Sequence, residues 1–584
     1  MKYAVVADAY ERIEATTKRL EMTDLLVSLL KNTPKEIIDK IVYLTQGKIY
    51  PDFVDLEIGV AEKLAVKALS RACGREESEI RENLKRTGDI GETAQKLMVG
   101  RRQVTFFQQP LTVQRVYDIL VKMAEASGKG SIDLKISLLT GLLADSTPVE
   151  AKYIMRTVTG NLRLGIADMT VLDALAIAYG GGRESREFIE RAYSISSDLG
   201  KVAKTVAEEG LEGIKEFHVS IGEPIRPMLA ERLSLPEEIL EKLGGRCIAE
   251  YKYDGERMQV HKIGDKIMLF SRRLENISDQ YPDVIELIGK HVKARSVILE
   301  AECVAVDSDT GEMLPFQELM HRRRKYGVGK AVKEYPVSLF AFDLLSVDGN
   351  DLTLKPYPVR RRMLEEVVQE STCVKIAEHS VVDSVEELES FFLKALEDGC
   401  EGLICKSIAN DSVYRAGARG WMWIKYKRDY KSEMIDAVDL VVVGAFHGRG
   451  RRAGTYGALL LAAYNSDNGV FETLTKCGTG FTDEDLMKLP KIMEKQVLTR
   501  KHSSVQSKIE ADIWFRPAVV IEVIGAEITL SPVHVCAMDV VRKGSGLAVR
   551  FPRFTGNYRL DKGAEDATTV EEIVEMYRSQ FKKI

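Results

Sequence analysis

The sequence predicts a multidomain protein with an all-α N-terminal domain, a mixed α/β (α+β) middle domain and a C-terminal β-barrel. The chain has 584 residues, which is too long for one hydrophobic core and suits about three domains. Apolar residues recur at spacings of three and four through the N-terminal part, whereas apolar and polar residues alternate from Cys247 onward. The first period is that of a helix and the second that of a strand, so helices precede strands.

The N-terminal domain is predicted to span residues 1–222. Two segments show its helical period clearly, "TDLLVSLLKN" and "MTVLDALAIAYG". Helix breakers then cluster in "SIGEPIRPMLAERLSLPEE", where Pro224, Pro227 and Pro236 interrupt any long helix. We interpret this stretch as a linker and as the entry to a second domain that begins at residue 223.

The middle domain is predicted to span residues 223–430 and to contain a β-hairpin. The segment "RMQVHKIGDKIMLFSRR" alternates on both sides of Gly264 and Asp265, a pair that suits a tight turn. Further strands are predicted in "SVILEAECVAVD", "PVSLFAFDLLSVDGN" and "EGLICKS". Strands and intervening helical segments together give a mixed α/β domain.

Residues 431–584 are predicted to form a small barrel of the oligonucleotide-binding type, an OB-fold. Short strands separated by glycines predict it: "AVDLVVVGAFHG", "YGALLLAAYN", "FETLTKCGTG" and "PAVVIEVIGAEI". The tail "TVEEIVEMYRSQFKK" begins with a threonine followed three positions later by a glutamate. This spacing predicts a capped amphipathic helix at the end of the chain.

Composition excludes several classes of protein. With 45% apolar and 29% charged residues the chain is ordinary globular material, and it contains no apolar run near the ~20 residues that a membrane helix needs. The charged start "MKYAVVADAYERIEATTKRL" lacks a signal-peptide core, so we expect a cytoplasmic protein. The eight scattered cysteines form no Cys-x-x-Cys pair and predict neither a zinc module nor a disulfide framework. A Gly-x-x-x-x-Gly-Lys-Ser/Thr segment, the mark of a P-loop ATPase, is absent.

The net charge of −5 argues, taken alone, against a nucleic-acid partner, because phosphate binders usually carry a basic excess. The distribution of charge points the other way. Basic runs stand out in "HRRRK", "KYKRDYK" and "HGRGRR". Each run taken singly could be a solvated surface, but three runs that flank one candidate site make this interpretation less favourable.

The candidate site contains "EYKYDGER", which places Lys252 two residues before Asp254 and Gly255. A Lys-x-Asp-Gly match alone also fits an exposed residue of a hairpin. The interpretation of Lys252 as a catalytic residue is strengthened by other charged residues in strand-like segments, namely Glu302, Glu401, Lys425 and Lys427. Each of them could belong to an ordinary salt bridge. Together they supply an amine nucleophile, carboxylates for a divalent cation and cations for phosphate oxygens, which is the chemistry of nucleotidyl transfer.

The set resembles the ATP-dependent DNA ligases, most of all those of archaea, over essentially the whole chain. The resemblance implies that Lys252 becomes adenylylated, that Glu250 reads the adenine amino group and that Phe342 stacks on the base. It assigns Arg257 and Arg272 to ribose and phosphate. It assigns Glu302 and Glu401 to the metal, and to phosphate binding it assigns the cations Arg419, Lys425 and Lys427.

The terminal signature of this family is matched by "RFPRFTGNYRLDK", which contains Arg559, Asp561 and Lys562. The resemblance implies that Arg559 and Lys562 orient the leaving pyrophosphate from the barrel domain. Asn557 departs from the pattern, because many relatives carry a third basic residue at this position. The departure weakens the expected grip of the segment on pyrophosphate.

The resemblance also implies cofactors, partners and a reaction cycle. ATP and Mg²⁺ are the expected cofactors, with Mn²⁺ as an alternative, and nicked duplex DNA is the expected substrate. Lysyl-AMP passes AMP to the 5′-phosphate of the nick, and the 3′-hydroxyl then displaces AMP. We expect a monomeric cytoplasmic enzyme of DNA replication, repair and recombination. The sequence does not fix the preference for ATP over ADP or NAD.

Two N-terminal loops are candidates for DNA contact. "GDIGETA" contains Gly91 and "GNLRLGIADMT" contains Arg163 and Gly165, whose amides and guanidinium suit backbone phosphates. From spacing alone these glycines equally fit helix caps, and the resemblance favours DNA. Between the two loops stands "QVTFFQQ", in which Gln103, Phe106 and Phe107 are similar to a short motif that binds the sliding clamp in archaeal ligases. Two adjacent phenylalanines could instead fill a core.

Three other functions are alternatives. An mRNA-capping enzyme or RNA ligase shares the middle domain and barrel but does not explain the helical N-terminal domain. A non-catalytic DNA clamp explains the basic runs but not the catalytic set. An NAD-dependent ligase is expected to carry a zinc-binding cysteine cluster, which this sequence lacks.

Overall fold

The protein is described from a computed structural model. The residues that it describes are 1–99, 109–306, 313–314, 316–322, 327–427, 437–448, 454–525, 527–531, 533–550 and 552–579. The chain divides into two compact units. Unit 1 comprises Met1–Gly74 and Ala94–Arg428, and unit 2 comprises Arg75–Thr93 and Asp429–Ile584.

The N-terminal part of the chain is helical, as the apolar spacing predicts. Its helices are α1 (Tyr3–Glu14), α2 (Arg19–Lys31), α3 (Ile38–Thr45), α4 (Glu62–Cys73), α5 (Glu77–Thr87), α6 (Ile90–Val99), α7 (Val113–Glu125), α8 (Ser131–Asp145), α9 (Pro148–Val158), α10 (Asp168–Tyr179), α11 (Arg186–Ser196) and α12 (Leu199–Lys215). Side chains cap several of them. Thr147 and Glu150 form a capping box at the start of α9, which satisfies amide groups that a helix start leaves unpaired.

The middle of the chain contains two sheets. Its strands are β1 (Leu229–Arg232), β2 (Cys247–Lys252), β3 (Glu256–Ile263), β4 (Lys266–Ser271), β5 (Ser296–Ala305), β6 (Val337–Val347), β7 (Asn350–Asp351), β8 (Val374–Ile376), β9 (His379–Val382), β10 (Gly402–Ser407) and β11 (Arg419–Lys427). Its helices are α13 (Pro236–Lys242), α14 (Pro282–His291), α15 (Phe316–Leu319), α16 (Val328–Glu334), α17 (Tyr357–Val367) and α18 (Val385–Glu397).

The two sheets have separate cores. Sheet A has the order β1-β11-β10-β2-β9, and sheet B has the order β4-β3-β5-β6-β7 with β8 beside β6. One face of sheet A packs on residues of α13 and α18 such as Ile239 and Leu388. Sheet B packs on residues of α14 such as Val284 and Ile288. The helices thus cover one face of each sheet, and residues of both sheets, such as Ile298 of sheet B and Trp423 of sheet A, meet in a further buried cluster.

Two predicted details of the middle domain can be compared with the structure. The hairpin is confirmed, because β3 and β4 pair on either side of Gly264, whose φ of +54° is one that glycine adopts without strain. The proline-rich linker is an ordered segment. Ile225 exchanges two hydrogen bonds with the Gln259 side chain, and β1 pairs in parallel with β11.

Unit 2 contains the C-terminal strands. They are β12 (Val438–His447), β13 (Tyr456–Asn465), β14 (Val470–Cys477), β15 (Val497–Leu498), β16 (Val505–Gln506), β17 (Ile513–Phe515), β18 (Val520–Ile524), β19 (Glu527–Ser531), β20 (Gly546–Arg550) and β21 (Arg553–Tyr558). Its C-terminal helices are α19 (Asp483–Met493) and α20 (Val570–Ser579). The main sheet has the order β15-β17-β12-β13-β14-β16, and β18 joins β12 to β21.

The tail helix agrees with its prediction. Thr569 and Glu572 cap α20 reciprocally, with Thr569 N donating to Glu572 Oε2 at 2.7 Å and Glu572 N donating to Thr569 Oγ1 at 3.2 Å. All the cysteines are free, and all except Cys373 are buried. Among the described helices, none combines the length and the apolar character required to cross a bilayer.

A buried ion pair fixes α17 to sheet B. Arg360 donates to both carboxylate oxygens of Asp343 on β6, at 2.8 and 2.9 Å, and both side chains are fully buried. The same guanidinium donates to the carbonyl oxygen of Lys355 at 2.7 Å. The guanidinium of Arg360 and the carboxylate of Asp343 therefore neutralise each other, and removal of either leaves the other charge buried without a partner.

Replacing Arg360 with methionine is expected to destabilise the protein by about 3–5 kcal/mol, because the Asp343 carboxylate remains buried without its cation. Denaturant-induced unfolding followed by tryptophan fluorescence measures the change. Lys290→Ala is the control, since its pair with Glu286 is exposed and exposed pairs contribute little. Wild-type stability for Arg360→Met would show that this pair does not hold α17.

Candidate active site

The site is built on the polar face of sheet A. β10 pairs antiparallel with both β2 and β11, so that Gly402 stands between Lys252 and Lys427, and Ile404 between Glu250 and Lys425. Because side chains alternate along a strand, these residues share one face. The opposite face of the same strands is apolar and belongs to the core: Cys247, Ala249, Tyr251, Leu403, Cys405, Ile424 and Tyr426.

Lys252 and Lys427 meet on one carboxylate. The Nζ atoms of both lysines lie 2.5 Å from Glu401 Oε2. Gly402 stands directly between the two lysines, and a Cβ there would meet the carbonyl oxygen of Tyr426 at 2.3 Å. Although burial alone raises it, the two ammonium groups lower the pKa of Glu401 to about 2. Three of the predicted site residues are thus brought together.

Two more carboxylates face this cluster. Burial raises the pKa of Glu302 to about 7, against the opposing effect of Lys252 and Arg257. Burial also raises the pKa of Asp254, and the nearby Glu401 adds to the shift. Asp254 Oδ2 accepts a hydrogen bond from the amide of Phe316 at 3.1 Å. The neighbourhood of Lys252 therefore holds one clearly ionised carboxylate and two whose ionisation is disfavoured.

Close packing against β5 requires glycine at position 255, the last residue of the Lys-x-Asp-Gly segment. A Cβ on Gly255 would meet the carbonyl oxygen of Cys303 on β5 at 2.3 Å. Only glycine lets the turn after β2 approach β5 so closely. This approach carries Asp254 and Lys252 toward Glu302, which also lies on β5.

Glu250 is held by three donors. Lys406 Nζ lies 2.6 Å from Oε2, Arg361 donates to Oε1 at 2.8 Å, and the Tyr357 hydroxyl donates to the same Oε1. Burial lowers the pKa of Lys406, while Glu250 opposes this shift. The carboxylate of Glu250 is consequently fixed in place as a hydrogen-bond acceptor.

Aromatic rings line the same region. Lys406 Nζ lies 4.5 Å from the ring centre of Trp423 and 5.1 Å from that of Phe342. The guanidinium of Arg257 lies 5.4 Å from the Phe342 ring and 5.7 Å from the Trp423 ring. These contacts are within the range of cation–π attraction. The rings of Phe342 and Trp423 are themselves in contact, edge to face, with centroids 6.3 Å apart.

Arg257 is pinned by a buried partner. Its NH2 group donates to both oxygens of Glu300, at 2.9 and 2.8 Å, and its NH1 group donates to the carbonyl oxygen of Met228 at 2.9 Å. Arg272 lines a small cavity together with Arg257 and Glu300. The structure thus places Arg272 beside Arg257.

The predicted phosphate-binding cations form a strip on β11. Arg419 and Lys425 lie opposite Leu229 and Arg232 of β1. Burial lowers the pKa of Lys425, and neighbouring cations lower it further: Arg419, Lys427, Lys252 and Arg232. Mutual proximity of so many positive charges is unfavourable without an anion. The strip is therefore suited to phosphate oxygens.

A larger cavity lies elsewhere in unit 1. It has a volume of about 1290 Å³ and is lined by residues of the helical region such as Lys48 and Gly160, and by residues of the middle region such as Arg226, Arg272 and Arg273. Lys252 does not line it. The cluster around Lys252 is the candidate active site, because the candidate nucleophile and the candidate metal-binding carboxylates lie there.

The N-terminal candidates are loop and cap residues. Arg163 and Gly165 lie between α9 and α10 with positive φ values of +57° and +68°, and Arg163 is exposed. The amide of Gly91 donates to Asp89 Oδ1 at 2.7 Å in the first turn of α6. Gly91 belongs to unit 2, whereas Arg163 and Gly165 belong to unit 1. Gln103, Phe106 and Phe107 lie outside the described residues.

In unit 2 the terminal signature is held by acidic partners. Arg559 Nε and NH2 donate to the two oxygens of Asp561 at 3.1 and 2.9 Å. Arg559 NH1 and Lys562 Nζ both donate to Asp439 Oδ2 at 2.6 Å. Asn557 Nδ2 reaches Glu522 Oε2 at 3.5 Å. The two cations are therefore adjacent.

Sequence reasoning missed several residues of these clusters. Asp254 was visible within the lysine motif, but no role was attached to it. Four other residues carried no sequence signal, because each lies far along the chain from the residue it contacts. They are Arg361 and Lys406, which bind Glu250, Arg232 on β1, and Asp439, which binds the terminal signature.

Three family models match the chain. They are the DNA ligase N terminus over residues 2–176, the ATP dependent DNA ligase domain over residues 227–427 and the ATP dependent DNA ligase C terminal region over residues 452–562. This succession confirms the predicted order of a helical domain, a nucleotidyltransferase domain and an OB-fold domain.

Curated relatives cover the full length. DNA ligase 2 of Thermofilum pendens is 57% identical over 100% of this chain and 98% of its own. DNA ligase of Staphylothermus marinus is 53% identical over 100% of both chains. A probable DNA ligase of Aquifex aeolicus is 53% identical over 100% of this chain and 99% of its own.

A solved structure supports the fold. The structure titled Pmar-Lig_PreS3 matches 95% of this chain and 99% of its own with a TM-score of 0.53, at 17% sequence identity. At that identity the match concerns the fold alone. Taken with the three family models and the full-length relatives, the residues around Lys252 stand in a chain that belongs to the ATP-dependent DNA ligases.

Proposed function

We propose that Lys252 is the nucleophile of this ligase. Its Nζ forms a P–N bond with the α-phosphate of ATP, pyrophosphate leaves, and the amine loses its proton. The position of Lys252 supports this role, since Glu401 binds both Lys252 and Lys427 at the edge of a strip of cations. These cations attract the phosphates of the nucleotide.

The nucleotide pocket lies on the polar face of sheet A in this proposal. Glu250, an acceptor fixed by its three donors, receives the adenine amino group, and Phe342 stacks on the base. Arg257 and Arg272 bind ribose and phosphate. Arg419, Lys425 and Lys427 bind phosphate oxygens. The adjacency of acceptor, aromatic ring and cations supports these roles.

Mg²⁺ is the proposed metal, with Mn²⁺ as an alternative. No group of three His, Cys, Asp or Glu side chains in the described part of the chain is arranged to hold a metal by itself. Mg²⁺ commonly takes one or two carboxylates together with substrate phosphates. Glu302 and Glu401 would hold it as hard oxygen donors beside Lys252. When bound, the ion would supply positive charge that neutralises phosphate oxygens.

The substrate proposed for the later steps is nicked duplex DNA. AMP passes from Lys252 to the 5′-phosphate, and attack by the 3′-hydroxyl releases AMP and seals the strand. Residues 1–222 form the DNA-binding domain in this proposal, residues 223–430 the adenylation domain and residues 431–584 the OB-fold domain. Arg163 and Gly165 contact the DNA backbone, whereas a contact of the buried Gly91 is proposed from the resemblance alone, since its amide already donates to Asp89 Oδ1. The exposed Arg163 and the bend at Gly165 support this assignment.

The cellular setting follows from the reaction. We place the enzyme in the cytoplasm as a monomer that acts in DNA replication, repair and recombination. Gln103, Phe106 and Phe107 are the proposed contacts with a sliding clamp. Their support is the sequence motif alone.

Lys252→Ala is expected to abolish covalent adenylylation, because the amine that forms the P–N bond is removed. Intact-protein mass spectrometry after incubation with ATP and Mg²⁺ should show one AMP adduct on the wild type and none on the variant. Lys266→Ala, which changes an exposed lysine on β4, should keep the adduct. An adduct on Lys252→Ala would assign the nucleophile elsewhere.

Arg163→Ala is expected to weaken sealing and to leave self-adenylylation unchanged, since Arg163 contacts DNA and not the nucleotide. Loss of one phosphate contact should reduce the slope of log affinity against log salt by about 1. Binding of nicked duplex measured at several salt concentrations gives this slope. Arg183→Ala, an exposed arginine on another loop, is the control. The same slope for both variants and the wild type would exclude Arg163 from the DNA contact.

Glu302→Gln is expected to stabilise the metal-free protein at neutral and higher pH. The folded-state pKa of Glu302 is raised to about 7 from 4.5. Between these values the folded state binds more protons than the unfolded state, so this group's contribution to stability falls as pH rises. The variant's advantage should therefore grow from pH 4.5 to 7 and then stay constant. Unfolding free energies across this range test it, and a constant difference would contradict the raised pKa.

A further inference from the structure

Asp439 is the common partner of both cations of the terminal signature. It lies near the start of β12, and its side chain is 9% exposed. Arg559 NH1 and Lys562 Nζ each lie 2.6 Å from the same oxygen, Oδ2. The two nitrogens cannot be farther apart than the sum of these distances. Two positive charges at such a separation repel each other unless an anion stands between them.

The backbone fixes this carboxylate relative to its cations. The amide of Asp439 donates to Thr568 Oγ1 at 2.9 Å, and the amide of Thr568 donates back to the Asp439 carbonyl oxygen at 2.9 Å. β12 pairs with β18, and the amide of Arg559 donates to the carbonyl oxygen of Val520 on β18 at 3.0 Å. Neighbouring strands thus deliver the carboxylate and the guanidinium to one place.

The way in which Asp439 binds the two cations is not the arrangement that would stabilise the folded barrel most. Asp439 Oδ1 is buried and has no hydrogen-bond partner among the described residues, and such an oxygen costs free energy. A carboxylate whose only role is to stabilise the barrel would contribute more if both of its oxygens accepted hydrogen bonds. Here one oxygen takes both cations, which brings them side by side.

We propose that Asp439 is a positioning residue for the first chemical step, holding Arg559 and Lys562 together as a two-cation clamp for the leaving pyrophosphate. The inference rests on the pyrophosphate role assigned to these two cations by the family resemblance. Pyrophosphate presents several oxygens at short spacing, and two adjacent cations match them better than two separated ones. Asp439 acts through the cations and does not touch the nucleotide.

The test uses the full-length enzyme with Asp439→Asn, which keeps the shape of the side chain and removes its charge. Three single-turnover rates are measured: self-adenylylation from ATP, the reverse reaction of adenylylated enzyme with inorganic pyrophosphate, and sealing of a nick supplied already adenylylated at its 5′-phosphate. We expect the first two to fall about tenfold or more, because the clamp loses its geometry. The third should remain within about twofold, since pyrophosphate takes no part in it.

Two further variants sharpen the result. Asp439→Glu restores the charge and should recover part of the pyrophosphate-dependent rates. Glu472→Gln changes another buried carboxylate of the same unit, one that binds Asn465 and the amide of Ala537 and touches neither cation. It should leave the ratio of the three rates unchanged.

The outcomes separate this inference from the function on which it rests. Unchanged or faster self-adenylylation by Asp439→Asn overturns it, because the carboxylate would then compete with pyrophosphate. Equal loss of all three rates together with a lowered melting temperature also overturns it and makes Asp439 a structural residue. Arg559→Ala and Lys562→Ala test the pyrophosphate role itself, and undiminished self-adenylylation in both would refute that role whatever Asp439→Asn does.

Discussion

The register of β10 between β2 and β11 is the constraint on which the site depends. It places Lys252, Gly402 and Lys427 in one row and Glu250, Ile404 and Lys425 in the next. A shift of one residue in a strand turns every side chain to the other face, and here it exchanges an apolar core for charged groups. Burial of the core residues therefore secures the register, and the register in turn assembles the site.

Several charges of this site already have an internal partner of opposite sign. Glu401 is bound by two lysines, Glu250 by Lys406 and Arg361, and Arg257 by Glu300. Such pairing compensates for the loss of water around buried charges. In the proposed function, an anionic nucleotide would exchange partners among groups that already stand in position. Preorganised charges of this kind stabilise developing charge without having to reorient during the reaction.

Local patterns in the sequence predicted the fold well and the site in part. Alternation predicted β3 and β4 with their turn, and a capping pair predicted α20, because both signals lie within one element. Glu250 and Arg361 are 111 positions apart, and Asp439 and Arg559 are 120 apart. Contacts at these separations are fixed by strand register and helix packing, which no short stretch of sequence specifies. Those partners could be found only from the structure.

The net charge of −5 was a poor guide to the ligand for the same reason. Carboxylates that lower the net charge lie directly against the cations that face phosphate in the proposed mechanism, in unit 1 at Glu401 and in unit 2 at Asp439. In each unit, some cations are thus paired with acidic residues of the same unit. Such pairing lowers the net charge of the chain, so a sum of charges does not reveal the cations that could bind phosphate. Their positions in the structure do reveal them. Phosphate recognition is then a property of the geometry within each unit, and an acidic chain can carry it.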